Sequence, residues 1–194
     1  MTELRVHLLV EDLQPQFAAY LATPVRARGY PPAQGQHALF VEVAPGLAIE
    51  RVTDLALRSV PGVEPGLLFV ERQFGVLEVH SSDLEEVRRA GRAILDALGP
   101  GGLSPQVLYQ DVIEDLTDQH AVIVNRNRQA SMVLPGQTLL VHEMTPALFA
   151  AQAANEAEKA APSITIVDVQ MIGAAGRLYL SGTTGDILKA REAL

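Results

Sequence analysis

The stretch Gly35–Leu47, GQHALFVEVAPGL, returns 101 positions later at Gly136–Leu148 as GQTLLVHEMTPAL. The register continues without a gap to about residue 90, and many of its matches fall on proline and glycine, which determine turns and helix ends. The matched pairs are Glu42 with Glu143, Pro45 with Pro146, Leu47 with Leu148, Ala56 with Ala157, Pro61 with Pro162, Gly75 with Gly176, and Leu77 with Leu178. A match of this length predicts two tandem copies of one folding unit.

Both copies show the same order of predicted elements. In the first, a strand at 38–43 leads into a helix that opens at Pro45 and ends before Pro61. A later helix is predicted to open with a capping box, in which Ser82 is the cap and Glu85 the third helical residue. The other predicted elements are strands 66–71, 75–80, 138–143, 164–171 and 175–181, helices 146–161 and from 184, and an extra strand at the start of each half, 4–10 and 105–110. This order predicts an α+β, ferredoxin-like sandwich with the helices on one face of the sheet.

The clearest break in the chain is the run LGPGG at 98–102, which ends a helical pattern and carries no side chain that could fill a core. We therefore expect a linker there. The predicted domains are residues 1–100 and 101–194.

The composition excludes several classes of function. A formal net charge of −8, without a basic cluster, argues against nucleic acid as a partner. The chain has no cysteine, so it forms no disulfide and no thiolate site. The N-terminus lacks the pattern of a signal peptide, and no apolar run approaches the roughly 20 residues of a membrane span. These features predict a cytoplasmic protein without a membrane partner.

No catalytic motif is present in the sequence. There is no phosphate-binding loop, nucleophile elbow or zinc-binding helix motif, and the five histidines are not spaced as metal ligands. We therefore predict ordinary structural or surface histidines, no metal and no cofactor. Acidic pairs follow the first strand of each half, Glu11-Asp12 and Glu114-Asp115. They are interpreted as part of a turn or a helix cap.

Glu71-Arg72 departs from the repeat, because the matched positions hold Ile172 and Gly173. The fold therefore tolerates uncharged residues at this turn. One interpretation is a surface hairpin tip with a weak local ion pair. Adjacent strand residues point to opposite faces, however, so the two need not pair with each other. The other interpretation places the tip at a symmetry axis, where copies from neighbouring subunits line a channel.

The segment Val70–Gly75, VERQFG, resembles the Val-Glu-Arg-Ala-Tyr-Gly motif of tandem-domain bacterial microcompartment shell proteins. The likeness is to the BMC-T type that forms double-layered trimers, and it extends over nearly the whole chain. The other segments that carry it are Asp12–Gln16 with Ala19–Leu21, Val41–Gly46, Leu55–Leu57, Asn125–Arg126, Ser131–Met132, Pro135–Gln137, Ala154–Ala161 and Gly173–Leu178.

The resemblance implies that each half is a circularly permuted BMC domain and that three chains form a pseudohexameric disc. Such discs tile with other microcompartment shell proteins, can stack as a dimer of trimers, and carry a gated central pore for small metabolites. The pore residues it implies are Glu71, Arg72, Gln73, Phe74, Gly75, Gly173, Ala174 and Ala175. Gln73-Phe74 replaces Ala-Tyr and Ala175 replaces a phenylalanine of the family pattern. Gly75 and Gly173 are expected to supply loop freedom.

Two further residues concern the tiling edge. Lys159 lies on the helix that carries an edge lysine in the family, and Arg58 is its counterpart in the first repeat. An edge role is favoured for Lys159, whereas for Arg58 an ordinary solvated helix charge is an equal alternative. A second function also stays open, namely a ligand-binding sensor or small enzyme on a duplicated ferredoxin-like fold. Trimers favour the shell protein, and dimers or tetramers favour the sensor.

Overall fold

Each half of the chain folds around its own four-stranded antiparallel sheet, so the tandem organisation predicted from the repeat is confirmed. The computed structural model describes residues 2–23 and 29–194. It divides into two compact units, Met1–Ser104 and Pro105–Leu194. The first unit extends past residue 100 because the Leu103 N–H donates to the Arg5 carbonyl at 2.7 Å.

The two units have the same order of elements. In the first these are β1 (Glu3–Val10), α1 (Pro15–Leu21), β2 (His37–Ala44), α2 (Ala48–Ser59), β3 (Glu64–Glu71), β4 (Phe74–Ser81) and α3 (Leu84–Leu98). In the second they are β5 (Gln106–Ile113), α4 (Asp118–Asn127), β6 (Thr138–Thr145), α5 (Phe149–Ala160), β7 (Thr165–Gln170), β8 (Gly176–Gly182) and α6 (Thr184–Glu192). The sheets run β1-β2-β4-β3 and β5-β6-β8-β7.

The turns that begin the repeated segment are alike in detail. Gly35 and Gly136 adopt φ angles of +82° and +80°, which an L side chain rarely adopts. Each donates its N–H to the carbonyl of a buried leucine, Leu13 at 2.9 Å and Leu116 at 2.8 Å. The glycines matched in the sequence therefore perform the same conformational task in both units.

The helices after β2 and β6 begin later than predicted. Pro45 and Pro146 each follow a cis peptide bond, and α2 begins only at Ala48 and α5 at Phe149. The Pro45 carbonyl accepts from the Ala48 N–H at 3.0 Å, so a turn separates the proline from the helix. The interpretation of these prolines as first-turn helix residues was wrong.

The cap of α3 also differs from the prediction. Asp83, not Ser82, is the N-cap residue, and its carboxylate accepts from the Glu85 N–H at 2.8 Å. Ser81 supports this arrangement because its hydroxyl accepts from the Asp83 N–H at 3.1 Å. The capping box was therefore placed one residue too early.

Helices cover both faces of each sheet, which corrects the one-face arrangement expected from the sequence. In the first unit α2 and α3 pack on the face that carries Leu39, Val41 and Leu77. The opposite face carries Phe40, whose ring lies 6.3 Å from that of Phe17 on α1. Helix α4 takes the corresponding place in the second unit.

The acidic pair after the first strand of each half forms a turn, as one of the two interpretations predicted. Asp12 and Asp115 are the described non-glycine residues with positive φ, at 57° and 50°. The Asp12 N–H donates to Nδ1 of His37 at 3.1 Å.

Among residues 2–23 and 29–194, no helix has the length and apolar character that crossing a bilayer requires.

Candidate functional site

The predicted pore segment forms the end of the β3–β4 hairpin. Glu71 lies opposite Phe74 in the strand register, and Arg72-Gln73 form the two-residue turn between them. We call residues 71–74 the hairpin tip. Arg72 and Gln73 are exposed, whereas Glu71 and Phe74 are half-buried. The tip therefore presents one carboxylate, one guanidinium and one amide at the end of an apolar hairpin.

The two charges of the hairpin tip have no partner among residues 2–23 and 29–194. Among the residues that the structure describes, neither Glu71 nor Arg72 makes an ion pair or a side-chain hydrogen bond. Many other acidic and basic side chains do form such pairs, for example Arg88 with Glu85 at 2.8 Å. The described residues therefore leave both charges of the tip unpaired.

Gly75 has a different role from the expected one. It lies buried in strand β4, and its φ is not in the left-handed region. A Cβ atom built there would collide with the carbonyl oxygen of Gly46 and would lie 2.5 Å from the Cβ of Ile49. Gly176 meets the backbone of Ala147 in the same way in the second unit. The two glycines permit close packing of a strand under the start of a helix; they do not supply loop freedom.

Arg5 connects the hairpin tip to the middle of the sheet. Its guanidinium carbon lies 4.0 Å from the centroid of the Phe74 ring, and its Nε donates to Oε1 of Glu42 at 2.8 Å. Glu42 is only 1% exposed, and its Oε2 has no hydrogen-bond partner among the described residues. Burial raises the pKa of the Glu42 carboxyl, while the hydrogen bond and charge of Arg5 oppose that rise.

The sequence reasoning missed both Arg5 and Glu42. A signal was present, because Glu42 and Glu143 are matched carboxylates within otherwise apolar strands. An acid within an apolar strand pattern indicates a compensating cation nearby. The identity of that cation depends on strand pairing, which the repeat did not provide.

The second unit has a longer loop in place of the hairpin tip. Residues 171–175 join β7 to β8, and Gly173 has a φ of +119°. Ala174 is exposed and Ala175 half-buried, and the Thr145 hydroxyl donates to the Ala174 carbonyl at 3.4 Å. This loop carries no ionisable side chain, in contrast to Glu71-Arg72.

The two predicted edge residues each pair on their own helix. The Arg58 Nε donates to both carboxylate oxygens of Asp54, at 2.8 and 2.9 Å, and its side chain is 79% exposed. The Lys159 ammonium lies 3.1 Å from Glu156, with a side chain 31% exposed. Both positive charges are therefore held on the helix surface by local partners.

The histidines predicted to be structural form internal contacts. His7 Nε2 lies 3.2 Å from a carbonyl of α3, His80 Nδ1 lies 3.0 Å from Glu78, and His142 Nδ1 lies 3.0 Å from Gln110. Burial raises the pKa of Glu78 and lowers that of His142. In the described part of the chain, no group of three or more acidic or histidine side chains could hold a metal ion.

A small polar cavity lies in the second unit, between α4 and the β7–β8 strands. Its volume is about 210 Å³, and Asp168, Tyr179 and Arg128 are among its lining residues. Ligand pockets usually measure about 300–1,000 Å³. This cavity is smaller than that range, but a second, apolar one beside Asp118, Val122 and Ile123 measures about 400 Å³, so cavity volume does not exclude the sensor interpretation.

Strand β5 presents an apolar surface. It forms the edge of the second sheet, and Val107, Leu108 and Tyr109 are each more than half exposed, the least exposed at 53%. Its counterpart β1 alternates buried and partly buried residues. Three consecutive exposed apolar residues on an edge strand are characteristic of a contact surface for another chain.

Comparison with known proteins gives one consistent group. Residues 4–101 match the family described as the CsoS1D N-terminal domain. The chain is 42% identical to the carboxysome shell protein CsoS1D of Hydrogenovibrio crunogenus, covering 100% of this chain and 94% of the relative. It is also 42% identical to the carboxysome shell protein CcmP of Synechococcus elongatus, covering 98% and 89%. A solved double-ringed trimeric shell protein from the RMM microcompartment is 68% identical, with a TM-score of 0.94 and coverage of 99% and 93%.

Proposed function

We propose that this chain, which belongs to the CsoS1D and CcmP family of carboxysome shell proteins, forms a trimeric tile with a gated central pore. The protein is a structural component of a microcompartment shell, since its relatives at 42% identity along the whole chain are named as shell proteins and not as enzymes. Its two tandem BMC domains are the units described above. The observation that carries the pore is the hairpin tip, whose two charges have no partner among the residues that the structure describes.

The trimer is supported by two independent observations. The relative at 68% identity is a double-ringed trimer. In this chain, edge strand β5 exposes Val107, Leu108 and Tyr109, which an isolated chain would leave in water. Three chains supply six units, which suit a pseudohexameric disc that packs beside other shell proteins. The double ring of the relative supports stacking of two such trimers.

In the proposed pore, three hairpin tips and three 171–175 loops alternate around the axis. Glu71 of one chain then pairs with Arg72 of a neighbour in the closed state, and both side chains turn to solvent in the open state. Closed and open arrangements that differ by about 1–3 kcal/mol would both be populated and could be shifted by a small effector. The open pore presents polar and charged groups, which suits the passage of small polar metabolites.

The tiling edge is proposed to include Lys159, with Arg58 as its counterpart on the first unit. Both lie on helices that follow the second strand of their unit, and each pairs with an acid on its own helix. A neighbouring disc would approach these helices and exchange the local partners Glu156 and Asp54 for its own acceptors. The sensor or enzyme alternative finds no support among the named relatives.

The absence of native cysteine permits a direct test of the pore position. An Arg72→Cys variant carries one thiol, and a disulfide needs Cα atoms about 4.4–6.8 Å apart. If three tips meet at an axis, mild oxidation joins two of the three chains into a covalent dimer. Arg92→Cys is the matched control, because Arg92 is 57% exposed on α3 of the same unit, a helix that belongs neither to the tip nor to the proposed tiling edge. It should remain monomeric on a denaturing gel.

Light scattering on the same samples reports the assembly separately. A mass of three or six 20.8-kDa chains supports the tile, and one or two chains would refute it. A trimeric mass with no Arg72→Cys cross-link would keep the tile and reject the pore position. In shells that enclose an enzyme, the oxidised Arg72→Cys tile should slow the uptake of a small polar substrate, and a thiol reductant should restore it.

A further inference from the structure

We propose that Arg5 is a latch for the hairpin tip, a positioning residue that holds Phe74 and so sets how readily the tip moves. This inference rests on the proposed pore, because it assigns the regulation of the same hairpin. It is supported by the contacts of Arg5 with Glu42 and Phe74 in the first unit and by a comparison between the two units of one chain.

Arg5 lies at a bulge in β1. The β1–β2 register passes from Leu4 opposite Val43 to Val6 opposite Glu42, so Arg5 is an extra residue without a partner in β2. A bulge of this kind redirects a side chain out of the regular alternation. The Arg5 side chain thereby reaches both Glu42 and the Phe74 ring.

Arg5 is anchored by Glu42. Glu42 is 1% exposed, and its carboxylate pairs with Arg5 at 2.8 Å. A buried carboxylate that loses its cation is strongly destabilised, so this ion pair resists separation. The planar guanidinium can keep the ion pair and stack on Phe74 at 4.0 Å at the same time. Through Arg5, the Phe74 ring is thus connected to Glu42 in the middle of the sheet.

The second unit has the matching bulge but not the latch. The β5 register shifts between Val107 and Tyr109, which places Leu108 where Arg5 lies in β1. Ala175 takes the place of Phe74. The matched acid is Glu143, which is 32% exposed, and its cation comes from Arg177 on β8, at 2.8 Å.

The cation and the ring therefore change together between the units. The described structure places both in the unit that carries Glu71-Arg72, and the second unit keeps only the ion pair. If Arg5 served only to stabilise the sheet, the ion pair between Arg177 and Glu143 in the second unit would reproduce its whole role. The added ring contact points to the hairpin tip, because Phe74 is the tip residue paired with Glu71.

Hydrogen–deuterium exchange of the assembled protein tests the latch. Phe74→Leu removes the ring contact and leaves Arg5 and Glu42 paired. We expect amide exchange at residues 71–74 to rise about two- to fivefold, the ratio that a surface cation–π contact supports. Arg5→Met should raise it further. Arg177→Met, the matched control in the second unit, should leave exchange at 71–74 unchanged.

Exchange in strand β2 and helix α2 serves as the internal reference. A rise confined to the tip supports the latch, whereas unchanged tip exchange in Phe74→Leu would overturn it. If Arg5→Met loosens the whole unit, the Phe74→Leu result decides. The Arg72→Cys cross-link distinguishes the two proposals, because a cross-link without a change in tip exchange rejects the latch and keeps the pore. Faster tip exchange without a cross-link keeps the latch and rejects the pore.

Discussion

Replacing Phe17 by alanine should destabilise the first unit strongly. The ring is 0% exposed and contacts the rings of Phe40 and Tyr20, with centroids 6.3 and 6.5 Å away. A buried phenylalanine removes about 150–250 Å² from water, worth about 4–6 kcal/mol at about 25 cal/mol/Å². Measured Phe→Ala changes in cores cost about 3–5 kcal/mol, which we adopt as the expected loss.

The repeat supplies the control for this variant. Phe17 precedes buried Ala18 on α1, and His120 precedes buried Ala121 on α4, so the two residues occupy the same helical position. His120 is exposed, and His120→Ala should change the stability by no more than about 0.5 kcal/mol.

Urea unfolding followed by circular dichroism, at one chain concentration for all variants, measures both effects. With a slope of about 2 kcal/mol per molar urea, the Phe17→Ala midpoint should fall by roughly 2 M. A fall below about 0.5 M would show that α1 does not seal the second face of the sheet. An equal fall for His120→Ala would show that the two helices have equivalent roles.

Two further predictions concern strands β4 and β2 beside the hairpin tip. Gly75→Ala should lower the stability by more than about 1 kcal/mol, because its Cβ would meet the backbone of Gly46. Gly185 is the control: a Cβ there has open space, so Gly185→Ala should be neutral or stabilising. Thermal unfolding of the two variants compares these effects. For Glu42, the folded carboxyl has a pKa raised above 4.5, so its contribution to stability is present at low pH and is lost as pH rises from 4.5 through the raised value. The unfolding free energy of wild type minus that of Glu42→Gln should therefore decrease as pH rises from 4.5 through the raised pKa of Glu42, and an increase would contradict the burial of this group.

The strands and the domain duplication could be predicted because their signals are local. Alternating apolar residues and matched prolines and glycines define β2, β4, β6 and β8 within one or two residues of their observed ends. The hairpin at 71–74 followed in the same way, since two strand patterns are separated by a short polar turn. Its use as a gate came from the family resemblance.

The missed features depend on contacts between distant parts of the chain. Helix α1 has seven residues, and four of them are buried, so its polar face is too small to produce a helical period. Pro15 at its start was the available sign. The partnership of Arg5 with Phe74 needed the bulge in β1, which shifts the pairing without any special residue at that site. Close packing at Gly75 likewise appears only when α2 is placed over β4.

Fusion of the two units has a consequence for stoichiometry. A ring built from six identical single-domain chains must repeat every substitution six times, so one charge added at the centre becomes six. Here the first unit carries the charges and the ring stack, and the second carries glycine and alanines. Three of each are enforced by the peptide bond between Ser104 and Pro105, whatever the concentrations of other shell proteins. The covalent link thus lets the first-unit half of the proposed pore lining change while the second-unit half stays the same.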